Sequence, residues 1–168
     1  MLKQHKMSLY VAHASVDNSE QYGTGNILAE ALGATVQGRF AEYCGGKAGV
    51  YVDVKAQSFR QFLQKVSRIS RARITSWRNR PKSLKRIGIV TGGGYKTPWV
   101  EEAASFGCNT YLTGEGSMFT TIFAKERGLN LVFAGHTATE RPAVLSLGKH
   151  LREAFPRLQT LAIPETYF

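Results

Sequence analysis

RIGIVTGGGYKTPWVEEAASFGCNTYLTGEGSMFTTIFAKERGLNLVFAGHTATER, residues 86–141, alternates short apolar runs with stretches of helical spacing. RIGIV (86–90), NTYLT (109–113) and LNLVFA (129–134) are short and bounded by turn residues, and are read as strands. Between them, WVEEAASF (99–106) stops at Gly107 and the stretch 116–127 stops at Gly128, as helices do when a glycine follows their last turn. Strand and helix in alternation, with short connections, predict an α/β fold: a mainly parallel sheet with helices packed on it.

Outward from this stretch the rhythm continues. On the amino-terminal side, MSLYVAH (7–13) and GVYVDV (49–54) predict two further strands, and NILAEALG (26–33) predicts a helix closed by Gly33. SFRQFLQKVSRISRARI (58–74) carries Phe59, Phe62, Leu63, Val66 and Ile69 at helical intervals and runs into the polar breaker RNRPKSLK. On the carboxyl-terminal side, a helix over 138–155 presents Val144, Leu147, Leu151 and Phe155 on one face, and LQTLAI (158–163) reads as a last strand. No repeat or low-complexity tract interrupts the chain, so 1–168 is expected to be a single α/β unit.

Composition sets bounds on function. With 168 residues, 43% hydrophobic and 11% aromatic, the chain is able to bury its own core and is not a disordered tail. Cys44 and Cys108 form no CxxC pair, which excludes a dithiol redox site or a zinc finger and predicts two free thiols. No run approaches the roughly 18 apolar residues of a membrane span, and the amino-terminal stretch lacks a secretion signal, so a cytoplasmic protein is expected. The net charge of +10 is concentrated: twelve Lys or Arg and no Asp or Glu lie between Lys55 and Lys96. That segment is either a solvated basic surface or an attractor for nucleic acid or another polyanion.

In an open α/β sheet, ligands gather beyond the carboxyl ends of the strands. The residues there are His13 to Asp17, Thr91 to Gly94, Thr113 to Ser117 and Gly135 to Glu140. His136 and Glu140, four apart, share a helix face and suit one divalent cation, although Thr137 with Glu140 also fits a T-x-x-E capping box. His13 and Asp17 follow a strand, where Asp17 is a ligand or a turn residue. Glu115, between two glycines, is a carboxylate able to orient a metal ligand or accept a proton. Gly92, Gly93 and Gly94 form either an anion cradle of backbone amides or a tight strand-to-helix turn.

Four motifs in order, VAHASVDNSEQYGTGNILAEALG, GIVTGGG, NTYLTGEGS and LVFAGHTATER, resemble the Nif-three-like family, whose members are also known as dinuclear metal centre proteins and as homologues of a GTP cyclohydrolase. The resemblance covers nearly the whole chain and is most specific at GHTATER. It implies an α/β fold, a ring-shaped homo-hexamer and a metal centre whose ligands here are Asp17, His136 and Glu140. It also implies further ligands from a His-His pair ahead of the first motif. None precedes His13, so the chain is expected to be amino-terminally incomplete relative to the family. Met118 stands where relatives can carry His. The expected function is a metal-dependent hydrolase of a small phosphate- or nucleotide-like substrate, with one or two ions of zinc, iron or manganese. Glu115 or His13 is then the proton acceptor, and Gly92 to Gly94 bind the anion. The alternatives are a non-catalytic module using the 55–96 segment on nucleic acid or an acidic partner, and a stable remnant with neither activity.

Overall fold

A six-stranded sheet frames the computed structural model, which describes residues 1–80 and 83–163. At its centre β4 (Leu84–Val90), β5 (Thr110–Thr113) and β6 (Asn130–Phe133) run parallel. Parallel neighbours need a crossover, supplied here by α4 (Thr97–Ser105) and α5 (Met118–Glu126). The α/β class expected from the sequence therefore stands, while the parallel arrangement is confined to these three strands.

The flanks are antiparallel. β1 (Thr35–Tyr43) and β2 (Gly46–Gln57) form a hairpin whose second strand pairs with β4, and β3 (Thr75–Trp77) closes the other edge against β6. A hairpin reverses the chain in a few residues and so cannot give parallel neighbours. Its turn is Cys44–Gly45, with φ of 48° and 78°. Two positive φ values match the twist of the flanking strands, but the usual signature is Asn-Gly. With Cys in the first place the turn gave no signal, and β1 went unforeseen. β3 is hidden by its brevity inside a polar stretch.

Two expected strands do not form. In 7–13, Leu9, Tyr10 and Val11 are 73%, 87% and 72% exposed and have no ladder partner among the described residues. Strand propensity without pairing does not make a strand. The chain instead enters a single helical turn, α1 (Ala14–Asp17). The run 158–163 is likewise irregular, with Leu161 and Ile163 exposed beside the last helix, α6 (His136–Ala154).

Helices cover both sheet faces. On one, Leu28 of α2 (Thr24–Ala31) and Phe62 and Val66 of α3 (Phe59–Ser70) pack on Val50, Val52, Ile87 and Ile89. On the other, Val100 and Ala103 of α4 and Ala124 of α5 pack on Phe40, Val90, Tyr111 and Leu131. α3 opens on a capping box between Ser58 and Gln61 and ends earlier than its apolar spacing suggests, because Arg71 turns left-handed at φ 54°. No helix among the described residues is long and apolar enough to cross a membrane.

The two cysteines are free thiols in opposite surroundings. Cys44 is exposed at the hairpin tip, and burial pushes the Cys108 thiol up to about 12. A thiol needs its thiolate to react. A disulfide exchange reagent at about pH 8 is therefore expected to modify Cys44 alone in the native chain and both thiols after unfolding. Rapid loss of both thiols from native protein would contradict the packing of Cys108.

Candidate functional site

The carboxyl ends of β4, β5 and β6 open onto a cavity of about 340 Å³. Three loops are stitched together there by their backbones. Glu115 N donates to Gly92 O at 3.0 Å, and Gly135 N donates to Gly114 O at 2.8 Å. Gly114 has no room for a side chain, since a Cβ would lie 2.6 Å from Gly92 O and 2.8 Å from the His136 Cα. Glu115 and His136, 21 residues apart, are thus brought side by side.

His136 lies between two carboxylates. Its Nδ1 is 2.9 Å from Glu115 Oε1, and its Nε2 is 3.3 Å from Glu140 Oε1. The helix start explains why the capping box over Thr137 and Glu140 does not form: α6 begins two residues earlier than expected, at His136, behind Gly135, with no side-chain cap. Glu140 therefore meets His136 rather than its own helix end. Beneath the pair, Gly92 sits at φ 60°, and a Cβ there would lie 2.1 Å from Glu140 Oε1 and 2.8 Å from His136 Nε2.

Asp17 lines the same cavity from α1 and is its most shielded carboxylate, with a side chain 13% exposed. A relay of hydroxyls holds it: Thr91 Oγ1 donates to Thr24 Oγ1 at 2.6 Å, and Thr24 Oγ1 donates to Asp17 Oδ1 at 2.9 Å. His13 Nε2 stands 4.0 Å from Asp17 Oδ2, and its side chain is 69% exposed at the mouth.

The glycine loop, open in the sequence to reading as an anion cradle or a tight turn, has most of its amides engaged within the protein. Gly92 N donates to Thr139 Oγ1 and Gly94 N to Thr113 Oγ1, both at 3.0 Å. Two of the three amides are spent inside the protein, so the loop is a tight turn that lets the strand ends approach. Gly93 lines the cavity.

Several lining residues carried no signal in the sequence. Tyr43 arrives from the tip of the unforeseen hairpin, where the Asn18 side chain donates to its carbonyl at 2.7 Å. Partial burial, then the adjacent Cys44, raises its phenol above the ordinary value, which keeps it a hydroxyl. Tyr95, Lys96 and Trp99 complete the wall. Lys96 lay in view within TGGGYKT but was one cation among twelve.

The donors suit a divalent ion. Two atoms each about 2.1 Å from one cation lie about 3.0 to 3.4 Å apart at octahedral or tetrahedral angles, and the separation of His136 Nε2 and Glu140 Oε1 falls in that range. Asp17 is on the cavity wall but not in contact with them. Among the described residues, no set of three or more His, Cys, Asp or Glu stands already arranged to hold an ion. Closing on one would require movement at Asp17. A larger groove of about 660 Å³ along α3, lined by Leu63, Arg68 and Arg73 among others, carries no comparable chemistry.

A family model described as Duf34/NIF3 (NGG1p interacting factor 3) matches residues 1–166. A "GTP cyclohydrolase 1 type 2 homolog" of Borreliella burgdorferi is 30% identical over 146 residues, 87% of this chain and 57% of that protein. Its namesake in Yersinia pestis is 31% identical over 155 residues, 92% of this chain and 60% of that one. Among solved structures, protein ybgI, of unknown function, superposes with a TM-score of 0.81 at 27% identity, covering 90% of this chain and 60% of that one. The chain thus spans about three fifths of the length of these relatives.

Gly92→Ala tests the packing under His136. A residue forced to positive φ costs about 1–2 kcal/mol, and the added methyl displaces the ends of two flexible side chains rather than backbone. Urea unfolding should show a loss of that order with the circular dichroism unchanged, while the His136 ring resonances shift. Resonances identical to wild type would contradict the close approach.

Proposed function

Because the chain belongs to the Duf34/NIF3 family, we propose that its cleft holds a divalent metal ion on Asp17, His136 and Glu140 and hydrolyses a small phosphate- or nucleotide-like substrate. The observation that carries this reading is the line Glu115, His136, Glu140. A neutral imidazole has one N–H and one lone pair. With Nδ1–H given to Glu115, the Nε2 lone pair of the neutral ring is turned toward Glu140, and these two acceptors face each other favourably across a cation, either a metal ion or, in the imidazolium, a second ring proton.

A bound ion supplies a Lewis acid and a water of lowered pKa as nucleophile. The chain's own groups do the rest. Glu115 fixes the tautomer and orientation of His136, which makes it a positioning residue. Thr24 occupies Asp17 Oδ1 and leaves Oδ2 as the donor atom. His13, exposed at the mouth beside Asp17, is the group that would accept a proton from an attacking water. Mixed N and O ligands suit zinc, iron or manganese, and three ligands account for one ion, a second needing further donors.

The rival reading on the basic segment finds less support in the geometry. Among the described residues its cations are not confined to one face: Arg68 projects from α3 on one side of the sheet. Arg86 is on the other side, bound to Asp53 at 2.7 Å and lying over Tyr51. Self-association is part of the proposal, since α5 exposes Met118, Phe119 and Ile122, and it is read from native mass.

Metal content of protein purified without chelator tests the centre. About one or two ions per chain are expected, lost in the double variant His136→Ala with Glu140→Ala. Glu115→Gln should weaken metal affinity by about 10–100-fold, the usual effect of removing a group that orients a ligand. Full metal content in all variants would overturn the assignment.

A further inference from the structure

The charges of the cleft set a problem for any anionic ligand. Asp17, Glu115 and Glu140 line it, so an entering oxyanion meets three carboxylates at close quarters. The glycine amides at Gly92 and Gly94 offer no relief, being donated to Thr139 and Thr113. Among the described residues that line the cavity, Lys96 is the one Lys or Arg.

Its placement is specific. Lys96 Nζ lies 4.5 Å from the centroid of the Trp99 ring and 5.8 Å from that of Tyr43. The two rings meet edge to face, 6.3 Å apart. Among the described residues no carboxylate is within ion-pair distance of Lys96. A long ammonium side chain near three carboxylates would ordinarily fold onto one of them, but cation–π attraction to two rings competes with an exposed ion pair of similar strength. The ammonium therefore keeps its donors for a ligand, and the carboxylates stay available to a metal.

We propose that Lys96, held by Trp99 and Tyr43, is the specificity-determining residue of the cleft and receives the oxyanion of the substrate, a phosphate or carboxylate. This rests on the hydrolase reading for its biological meaning, and its test is independent of that reading. Selection arises because a neutral analogue gains nothing from Lys96 and leaves its ammonium donors without an acceptor. The aromatic clamp is also why a cation here is not interchangeable with one elsewhere in the basic segment.

The experiment is calorimetric titration of the full chain, loaded with zinc, with inorganic phosphate, adenosine monophosphate and adenosine at fixed ionic strength. Lys96→Met keeps the apolar stem and is expected to weaken phosphate and monophosphate by about tenfold or more, as for loss of a charge-assisted hydrogen bond. Adenosine should be unaffected. Lys96→Arg keeps the charge and can still lie over the rings, so it should bind the anions more tightly than Lys96→Met does. Trp99→Leu should weaken the anions although it removes no charge. Metal content and melting temperature of each variant, measured in parallel, separate this from damage to the site. Equal anion affinity in wild type and Lys96→Met overturns the assignment, as does metal-loaded wild type that binds neither anion. If the chain takes up no metal, the hydrolase reading falls. The same titrations of metal-free protein then decide on Lys96: anion binding lost in Lys96→Met upholds it, and binding that is unchanged or absent in wild type overturns it.

Discussion

Three strand ends held together by their own backbones are the constraint from which the site follows. Gly92, Gly114 and Gly135 bring the exits of β4, β5 and β6 so close that the loop after each strand bonds to the next. Thr139 locks the stack by accepting from Gly92 N and donating back to the carbonyls of Gly135 and His136. Buried backbone groups must find partners, and here they find them in one another. The side chains that follow, Glu115 and His136, are forced into contact as a result. The rest of the cleft is assembled against this fixed edge.

The opposite wall is attached differently. α1 is a single turn and could not hold Asp17 in place alone, so the link comes from the Thr91, Thr24, Asp17 relay, whose two threonines are buried at 8% and 5% exposure. Asn18 ties the same turn to the hairpin tip. One side of the cleft is thus rigid by backbone packing, while the other is held by a few side-chain hydrogen bonds. That difference leaves Asp17 on the less firmly tied wall, the side that would have to move for the proposed ion to be held with His136 and Glu140.

The central alternation of strand and helix was legible because each crossover unit is local in sequence, and so was the set of loops that carries the chemistry. His13, Asp17, Glu115, His136 and Glu140 do line one cavity. What escaped was non-local. β1 depends on a Cys–Gly turn without the common signature, and with it went Tyr43. The strand formers of 7–13 pointed to a strand that pairing does not supply. The glycine loop was ambiguous between cradle and turn, and only the positions of Thr113 and Thr139, 19 and 47 residues away from the amides they receive, decide it. Lys96 had no distinction in a run of cations until the fold set two rings around it.

Anomalous diffraction from crystals of the chain grown with a divalent transition metal tests the central claim most directly. The expected result is an anomalous peak in the cleft bonded to His136 Nε2, Glu140 and Asp17, with Glu115 still on His136 Nδ1. A peak elsewhere on the chain, or a cleft empty of metal with His136 turned away from Glu140, would contradict it.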